Sequence, residues 1–269
     1  LPSGFSGDPS AGYSLATRVL QGVNFARLHR LQPDGGARAA DIDQARYSVP
    51  TFAARLSGAA LTDAWGYFLT SVTSGDPTTS FLQGMPGNGA ETPEGAPVAG
   101  AVYPGALVVA FLKGSGTDAA TLTVKRYHTS GASLVSDPGF GGQAFPAPRA
   151  TVQGVAPAGL VAEPDFAAVA VGAATSAYAL VVGPGGVRLL PPVPAFGAPL
   201  LARRCDGSLA FAYIEAGGTL VVTRYKGDAL DTSFRVARKV SGLLTFLVKA
   251  PDESLLVGTS EGWVLRLLP

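Results

Sequence analysis

One cysteine, Cys205, in 269 residues excludes an intramolecular disulfide framework and any paired-thiolate metal site. Histidine is almost as scarce, with only His29 and His128. A zinc site needs three or four convergent ligands and a serine or cysteine nucleophile needs a base at its side, so metal-dependent and triad-type hydrolysis find little material here. No metal and no cofactor is expected. Charge is thin as well: 14% of residues carry it and the formal net charge is +1. No run of Lys or Arg marks a stripe able to track phosphates, which argues against nucleic acid as a partner. The glycine runs Gly84 to Gly89 and Gly183 to Gly186 are not followed by Lys-Ser or Lys-Thr, so they read as turns, not phosphate cradles. Asp41-Ile42-Asp43 falls short of the alternating carboxylates of a calcium loop. Phe166 to Val187 is uncharged and long enough to raise a membrane span, but Gly172, Thr175 and Ser176 interrupt it and Gly183-Pro184-Gly185-Gly186 ends it. Two buried strands and a hairpin account for it better. No cationic leader with an apolar core opens the chain, which leaves a cytosolic protein or one whose signal has been removed.

What the chain has in quantity is punctuation. Its 35 glycines and 21 prolines fall between short apolar runs such as Ala106 to Leu112, Ala167 to Val171, Leu209 to Tyr213 and Ser254 to Val257, each preceded by a tight turn. A second register repeats alongside: Leu220-Val221-Val222-Thr223-Arg224-Tyr225, a turn at Gly227-Asp228, then Leu230-Asp231-Thr232-Ser233-Phe234. Leu122 to Tyr127 with Asp137-Pro138-Gly139-Phe140, and Tyr67 to Thr70 with Thr79-Ser80-Phe81, are further copies, and weaker ones start at Phe25, Tyr178 and Trp263. These six starts are separated by 42, 55, 56, 42 and 43 residues. A period of that length means stacked supersecondary units that cannot bury their faces alone. Each unit reads as strands A, B and C followed by a short strand D near the Ser-Phe knot, the content of a propeller blade. The predicted fold is therefore all-β, a β-propeller of six blades of mostly four antiparallel strands. The expected single domain covers 1–269, with blades at 1–50, 51–96, 97–153, 154–198, 199–240 and 241–269. The last blade is one strand short: an N-terminal strand closes it, or Ser3-Gly4-Phe5 begins the first blade and the sixth has three strands or a fourth from outside residues 1–269.

These residues resemble the bacterial delta-sixty repeat, whose units carry a Val-x-Arg-Tyr strand, a turn and Leu-Asp-x-Ser-Phe-Gly. Val222 to Phe234 matches well, with Arg235 in place of the final Gly, Val124 to Phe140 fairly, and the other copies in outline. The resemblance implies a propeller-like module of bacterial surface or secreted proteins, periplasmic ones included, and brings no catalytic residues with it.

Candidate functional residues come from the loop rim. The B–C loops and D–A connections open on one face of such a fold, and a propeller usually binds there. The expected ligand-binding set is Asp63, Trp65, Asp118, Arg149, Glu215, Arg238 and Glu261, with Lys113, Arg46, Arg235 and Lys239 nearby in sequence. Two long connections, Gly84 to Pro97 and Gly141 to Pro157, are further candidates for recognition. Asp34, Asp206, Asp228, Asp231 and Asp252 read as turn aspartates that accept backbone N–H bonds, Cys205 as a repeat-derived turn residue, and Trp263, Phe25 and Tyr178 as packing between blades. The favoured function is a non-catalytic module recognising a protein, peptide or glycan, as a monomer or as part of a larger assembly. The alternative is a glycan-acting hydrolase or lyase with Asp63, Glu215 and Glu261 converging over a central channel, since a glycosidase pair stands about 5 to 10 Å apart.

Overall fold

The computed structural model describes residues 94–103, 106–130, 133–152, 159–250 and 252–268, together with the backbone of the strands before residue 92. Every regular element among them is a strand, and none is a helix. The strands form six antiparallel sheets in chain order. The first holds β1 (Pro2–Asp8), β2 (Gly12–Gln21), β3 (Val23–Leu31) and β4 (Ala39–Ala45). The second holds β5 (Val49–Leu56), β6 (Trp65–Val72), β7 (Thr79–Met85) and the two-residue β8 (Ala90–Glu91). The third holds β9 (Ala96–Tyr103), β10 (Ala106–Lys113), β11 (Thr121–Ser130) and β12 (Ser133–Pro146).

In the fourth sheet β13 (Leu160–Ala162), β14 (Ala167–Gly172), β15 (Ser176–Gly183) and β16 (Gly186–Leu189) lie in order, with β17 (Val193–Pro194) on β15. The fifth is β18 (Phe196–Arg203), β19 (Leu209–Glu215), β20 (Thr219–Lys226) and β21 (Ala229–Lys239). The sixth has three strands, β22 (Leu244–Lys249), β23 (Leu255–Thr259) and β24 (Val264–Leu267). β1 pairs with β2, so Ser3-Gly4-Phe5 begins the first sheet. Asp41 and Asp43 lie in strand β4 and not in a loop. The stretch around Gly172 is the expected strand pair, β14 being buried along its whole length.

The chain divides into two compact units: Leu1–Lys113 with Leu122–Ala144 and Gly154–Ala156, and Gly114–Thr121 with Phe145–Gln153 and Pro157–Pro269. In the second unit the core is built from both faces of the fifth sheet. One face joins Leu209, Phe211, Tyr213 and Tyr225 to Ala168, Ala170 and Val181 of the fourth sheet. The other joins Leu200, Ala210, Ala212 and Val222 to Leu247, Leu255 and Val257 of the sixth. Strands buried on both faces lose the polar-out alternation of a solvated sheet, which is why these runs read as continuously apolar. The small side chains at Ala168, Ala170, Ala210 and Ala212 let the sheets approach, and at Gly172 a β-carbon would overlap the carbonyl of Gly197.

Candidate functional site

The repeat's own chemistry is a clasp inside the outer hairpins of the third and fifth sheets. In the fifth sheet the pairing runs Arg224 to Asp231 and then jumps to Thr223 opposite Arg235, so Thr232, Ser233 and Phe234 form a bulge within β21. This corrects the sequence reading, in which D was a short strand near the knot: β21 has 11 residues and contains it. Arg224 Nε donates to Asp231 Oδ2 at 2.7 Å, and Ser233 gives Asp231 Oδ1 its backbone N–H at 3.0 Å and its hydroxyl at 2.5 Å. The guanidinium carbon of Arg224 stands 5.0 Å from the centre of the Phe234 ring, and that of Arg204 stands 5.1 Å from it. Arg126 repeats the arrangement in the third sheet: Nε and Nη2 reach Asp137 Oδ2 at 2.9 and 2.5 Å, and its guanidinium lies 4.3 Å over the buried Phe140. The Ser233 hydroxyl, Arg224 and the Ser233 N–H together lower the Asp231 pKa to about 2. Arg126 first, then the Gly139 N–H, likewise lowers that of Asp137.

The expected turn aspartates act as turn residues where they are described. Asp206 accepts from Ser208 and Asp252 from Ser254, each through backbone N–H and hydroxyl. Their pKa values fall for that reason. Asp228 instead pairs with Arg188. His128 lies 3.4 Å from Asp137 Oδ2, at the edge of a clasp. No group of three metal-ligating side chains occurs among the described residues.

At the rim, backbone bonds stitch the D–A connections down. Ala147 N donates to Ala120 O at 2.9 Å, Arg149 N to Thr117 O at 2.6 Å, and Thr151 bridges to Gly172. Further on, Val240 N donates to Gly218 O, Lys239 Nζ to Gly217 O, and Ser260 N to Leu243 O. The segment Gly141 to Pro157, expected as a free recognition loop, starts as strand β12, and its residues 147 to 151 are pinned by these bonds. Part of Gly84 to Pro97 likewise belongs to β8 and β9.

The candidate side chains are brought together in pairs and not as one cluster. Arg149 Nε donates to Asp118 Oδ1 at 2.7 Å, and Arg235 Nη2 to Glu215 Oε1 at 2.8 Å. Among the described residues, the exposed Arg238 donates to the neighbouring Ala237 carbonyl at 3.1 Å and makes no ion pair, and Glu261, exposed in the turn before β24, makes none either. Asp63 lies outside the described residues, and of Trp65 only the backbone, at the start of β6, is described. The sequence reading missed an apolar group on the same rim. Phe196, Leu243 and Trp263 are 49%, 68% and 51% exposed, although Trp263 was expected to pack between blades. Trp263 Nε1 donates to Ser241 Oγ at 3.1 Å, which ties the indole to the segment that leads into Leu243. Gly242, at φ 85°, makes the turn that carries Leu243 outward.

Two other groupings lie away from the rim. Lys249 Nζ donates to Cys205 Sγ at 2.7 Å, and the thiol reaches Glu253 Oε1 at 2.8 Å, so the exposed Cys205 has a lysine and not a histidine for its neighbour. A cavity of about 140 Å³ is lined by Phe166, Arg188, Arg203, Leu209, Tyr225 and Asp228. Its cations are already neutralised, Arg188 by Asp228 and Arg203 by Glu163 at 3.6 Å. That volume is below the roughly 300 Å³ at which ligand pockets begin.

Serial antiparallel sheets, four of them four-stranded on an unbranched path, define a six-bladed β-propeller fold. No protein-family profile and no curated protein sequence matches the chain. Solved structures share its fold. A candidate 6-phosphogluconolactonase from Bacteroides uniformis is 10% identical, with a TM-score of 0.61 over 98% of this chain and 83% of that one. Hydrazine synthase of Kuenenia stuttgartiensis is 11% identical, with a TM-score of 0.62 over 100% and 95%. A functionally unknown protein from Desulfotomaculum acetoxidans is 16% identical, with a TM-score of 0.56 over 99% and 85%. At such identities the likeness extends to the fold and no further. No helix among the described residues is long and apolar enough to cross a membrane.

Proposed function

We propose that this chain is a non-catalytic binding or scaffold propeller of the delta-sixty type, one domain that recognises a protein, peptide or glycan at its loop rim. One observation carries the reading: Phe196, Leu243 and Trp263 offer apolar surface to solvent, while among the described rim carboxylates Asp118 and Glu215 are committed to arginines and Glu261 alone makes no ion pair. Exposed aromatic and aliphatic groups clustered on a rigid rim are suited to stacking on a sugar ring or packing a peptide side chain. Arg238 and Glu261 flank that surface in sequence and supply polar contacts. Such a module fits a secreted, periplasmic or cell-surface bacterial protein, alone or in a larger assembly. A glycan array and a peptide array read with the native protein and with Trp263→Ala test it. Binding lost in the variant, with its melting temperature within about 2 °C of native, supports the reading, since exposed substitutions rarely cost much stability. Binding unchanged by Trp263→Ala removes it.

A second reading, hydrolysis, is favoured by the similarity to candidate 6-phosphogluconolactonases. A general acid has its pKa raised toward the working pH. Every described carboxylate with a displaced pKa is displaced downward, as at Asp137, Asp206, Asp231, Asp252 and Glu253. This weighs toward the binding reading. Turnover of a sugar lactone or a glycan that is abolished by Glu261→Gln would reverse the order.

A further inference from the structure

At two successive sheet junctions, the last residue of strand A carries a cation that reaches back to the A–B turn of the sheet before. Arg203, at the end of β18, stands 3.6 Å from Glu163 in the turn after β13. Lys249, at the end of β22, repeats the reach, its Nζ donating at 2.7 Å to Cys205 Sγ in the turn after β18. The first contact joins a guanidinium to a carboxylate, which form an ion pair and nothing more. The second joins an amine to a thiol, and a carboxylate stands beside both: Glu253 Oε1 lies 2.8 Å from Sγ and 3.3 Å from Nζ. Each end is held by its own turn. Arg204 N donates to Ser208 O and Gly207 N to Arg204 O, while Ala250 N donates to Ser254 O and Glu253 N to Ala250 O. Two fixed backbones, 44 residues apart in the chain, thus hold the amine against the thiol, and Cys205 is exposed to small solutes.

An exposed thiol is oxidised by peroxide to a sulfenic acid, whose sulfur is electrophilic and condenses with a nitrogen nucleophile. We infer that Cys205 and Lys249 form a sulfenamide crosslink when the protein meets hydrogen peroxide. In the first step the Cys205 sulfur takes one peroxide oxygen: an S–O bond forms, the O–O bond breaks, and the thiol proton leaves with the departing hydroxide as water. In the second, Glu253 takes a proton from the Lys249 ammonium, the freed Nζ lone pair attacks sulfur, an S–N bond forms and the S–O bond breaks. The hydroxide departs as water with the proton held by Glu253, and one further proton passes from nitrogen to solvent. Sulfur is oxidised by two electrons, and the peroxide is reduced to two molecules of water. The crosslink ties β22 of the sixth sheet to a turn of the fifth, and it restricts the unfolded chain as a disulfide does. It shares no residue with the rim, so its failure leaves the binding reading untouched.

The whole chain is treated with hydrogen peroxide, digested with trypsin without reductant and analysed by mass spectrometry. The expected product is the peptide that begins at Cys205 joined to the one that contains Lys249, lighter than their sum by about 2 Da for the two hydrogens lost, and parted by dithiothreitol. The crosslinked chain should melt about 5 °C or more above the untreated one. Lys249→Arg keeps a cation beside the thiol, but a guanidinium does not displace the sulfenic oxygen, so the joined product should vanish. Joined peptides in equal yield from native protein and Lys249→Arg overturn the proposal. So does Cys205 carried to the sulfinic or sulfonic acid with Lys249 free, or an intermolecular disulfide as the sole product. A joined pair heavier by about 14 Da, with an oxygen kept between nitrogen and sulfur, overturns the direct S–N bond.

Discussion

Truncating Phe234 tests the clasp most directly. A fully buried phenylalanine cut to alanine costs about 3–5 kcal/mol, which is what the sequence motif alone suggests for this position. The ring is in fact half-buried, packed on the core shared by the fifth and sixth sheets and flanked by Arg204 and Arg224. Half of the usual cost is about 2 kcal/mol, and two cation–ring contacts at partly exposed sites add about 0.5–1 kcal/mol each. Phe234→Ala should therefore cost about 3–4 kcal/mol, and Phe234→Leu, which keeps most of the apolar volume, about 1–2 kcal/mol. Urea denaturation of the single variants, of Arg224→Met and of the double variant Phe234→Leu with Arg224→Met gives the coupling between ring and guanidinium. A coupling of about 0.5 kcal/mol or more is expected. A value below about 0.3 kcal/mol, within the noise of such cycles, would refute the stacked clasp and leave Phe234 as an ordinary apolar contact.

Acid should loosen the fold through the same clasps. The folded pKa of Asp231 is lowered from 3.8 to about 2, and those of Asp137, Asp206 and Asp252 are lowered too. Groups depressed in the folded state stabilise it above their unfolded pKa and cease to do so as the pH falls through the folded one. The melting temperature should hold steady down to about pH 4 and fall between about pH 4 and 2, less steeply in Asp231→Asn; a flat profile over that range would contradict this. At Gly258 a β-carbon would overlap the Phe246 ring that lies across it in the sixth sheet. Gly258→Ala should destabilise by about 1–3 kcal/mol, and adding Phe246→Ala should restore part of the loss. A wild-type denaturation midpoint for Gly258→Ala alone would show that the ring moves aside freely.

Strand content was legible because the residues that face two neighbouring sheets, such as Ala167 to Val171 and Leu209 to Tyr213, are apolar without interruption and bounded by turns. The turn aspartates were legible for a similar reason, since Asp206 and Ser208, or Asp252 and Ser254, bond across two residues of chain. The rim was not. Asp118 meets Arg149 across 31 residues and Glu215 meets Arg235 across 20, and both meetings depend on where the returning strand is pinned. A list of charged loop residues therefore gave the members of two ion pairs without showing that they neutralise each other. Trp263 misled for a different reason. The period aligns Trp263 with the buried Leu220, and the strand pairing aligns it with the buried Val221, so equivalence by repeat implied packing, but the indole projects into solvent. The bulge that holds Thr232, Ser233 and Phe234 was visible as a motif but not as a bulge, because only the pairing register reveals the skipped residues.

The arginine and aspartate of each clasp are close neighbours along the chain, seven residues apart for Arg224 and Asp231 and eleven for Arg126 and Asp137. Hairpins whose contacts are this local close on the microsecond scale, far ahead of contacts between distant strands. The outer hairpins of the third and fifth sheets can thus set their register while the strands they must pack against are still being made, and the guanidinium on the phenyl ring marks the correct register from within. For these two sheets the order of assembly is then written into the motif: the hairpin first, carrying its own check, and the face-to-face stacking of sheets afterwards.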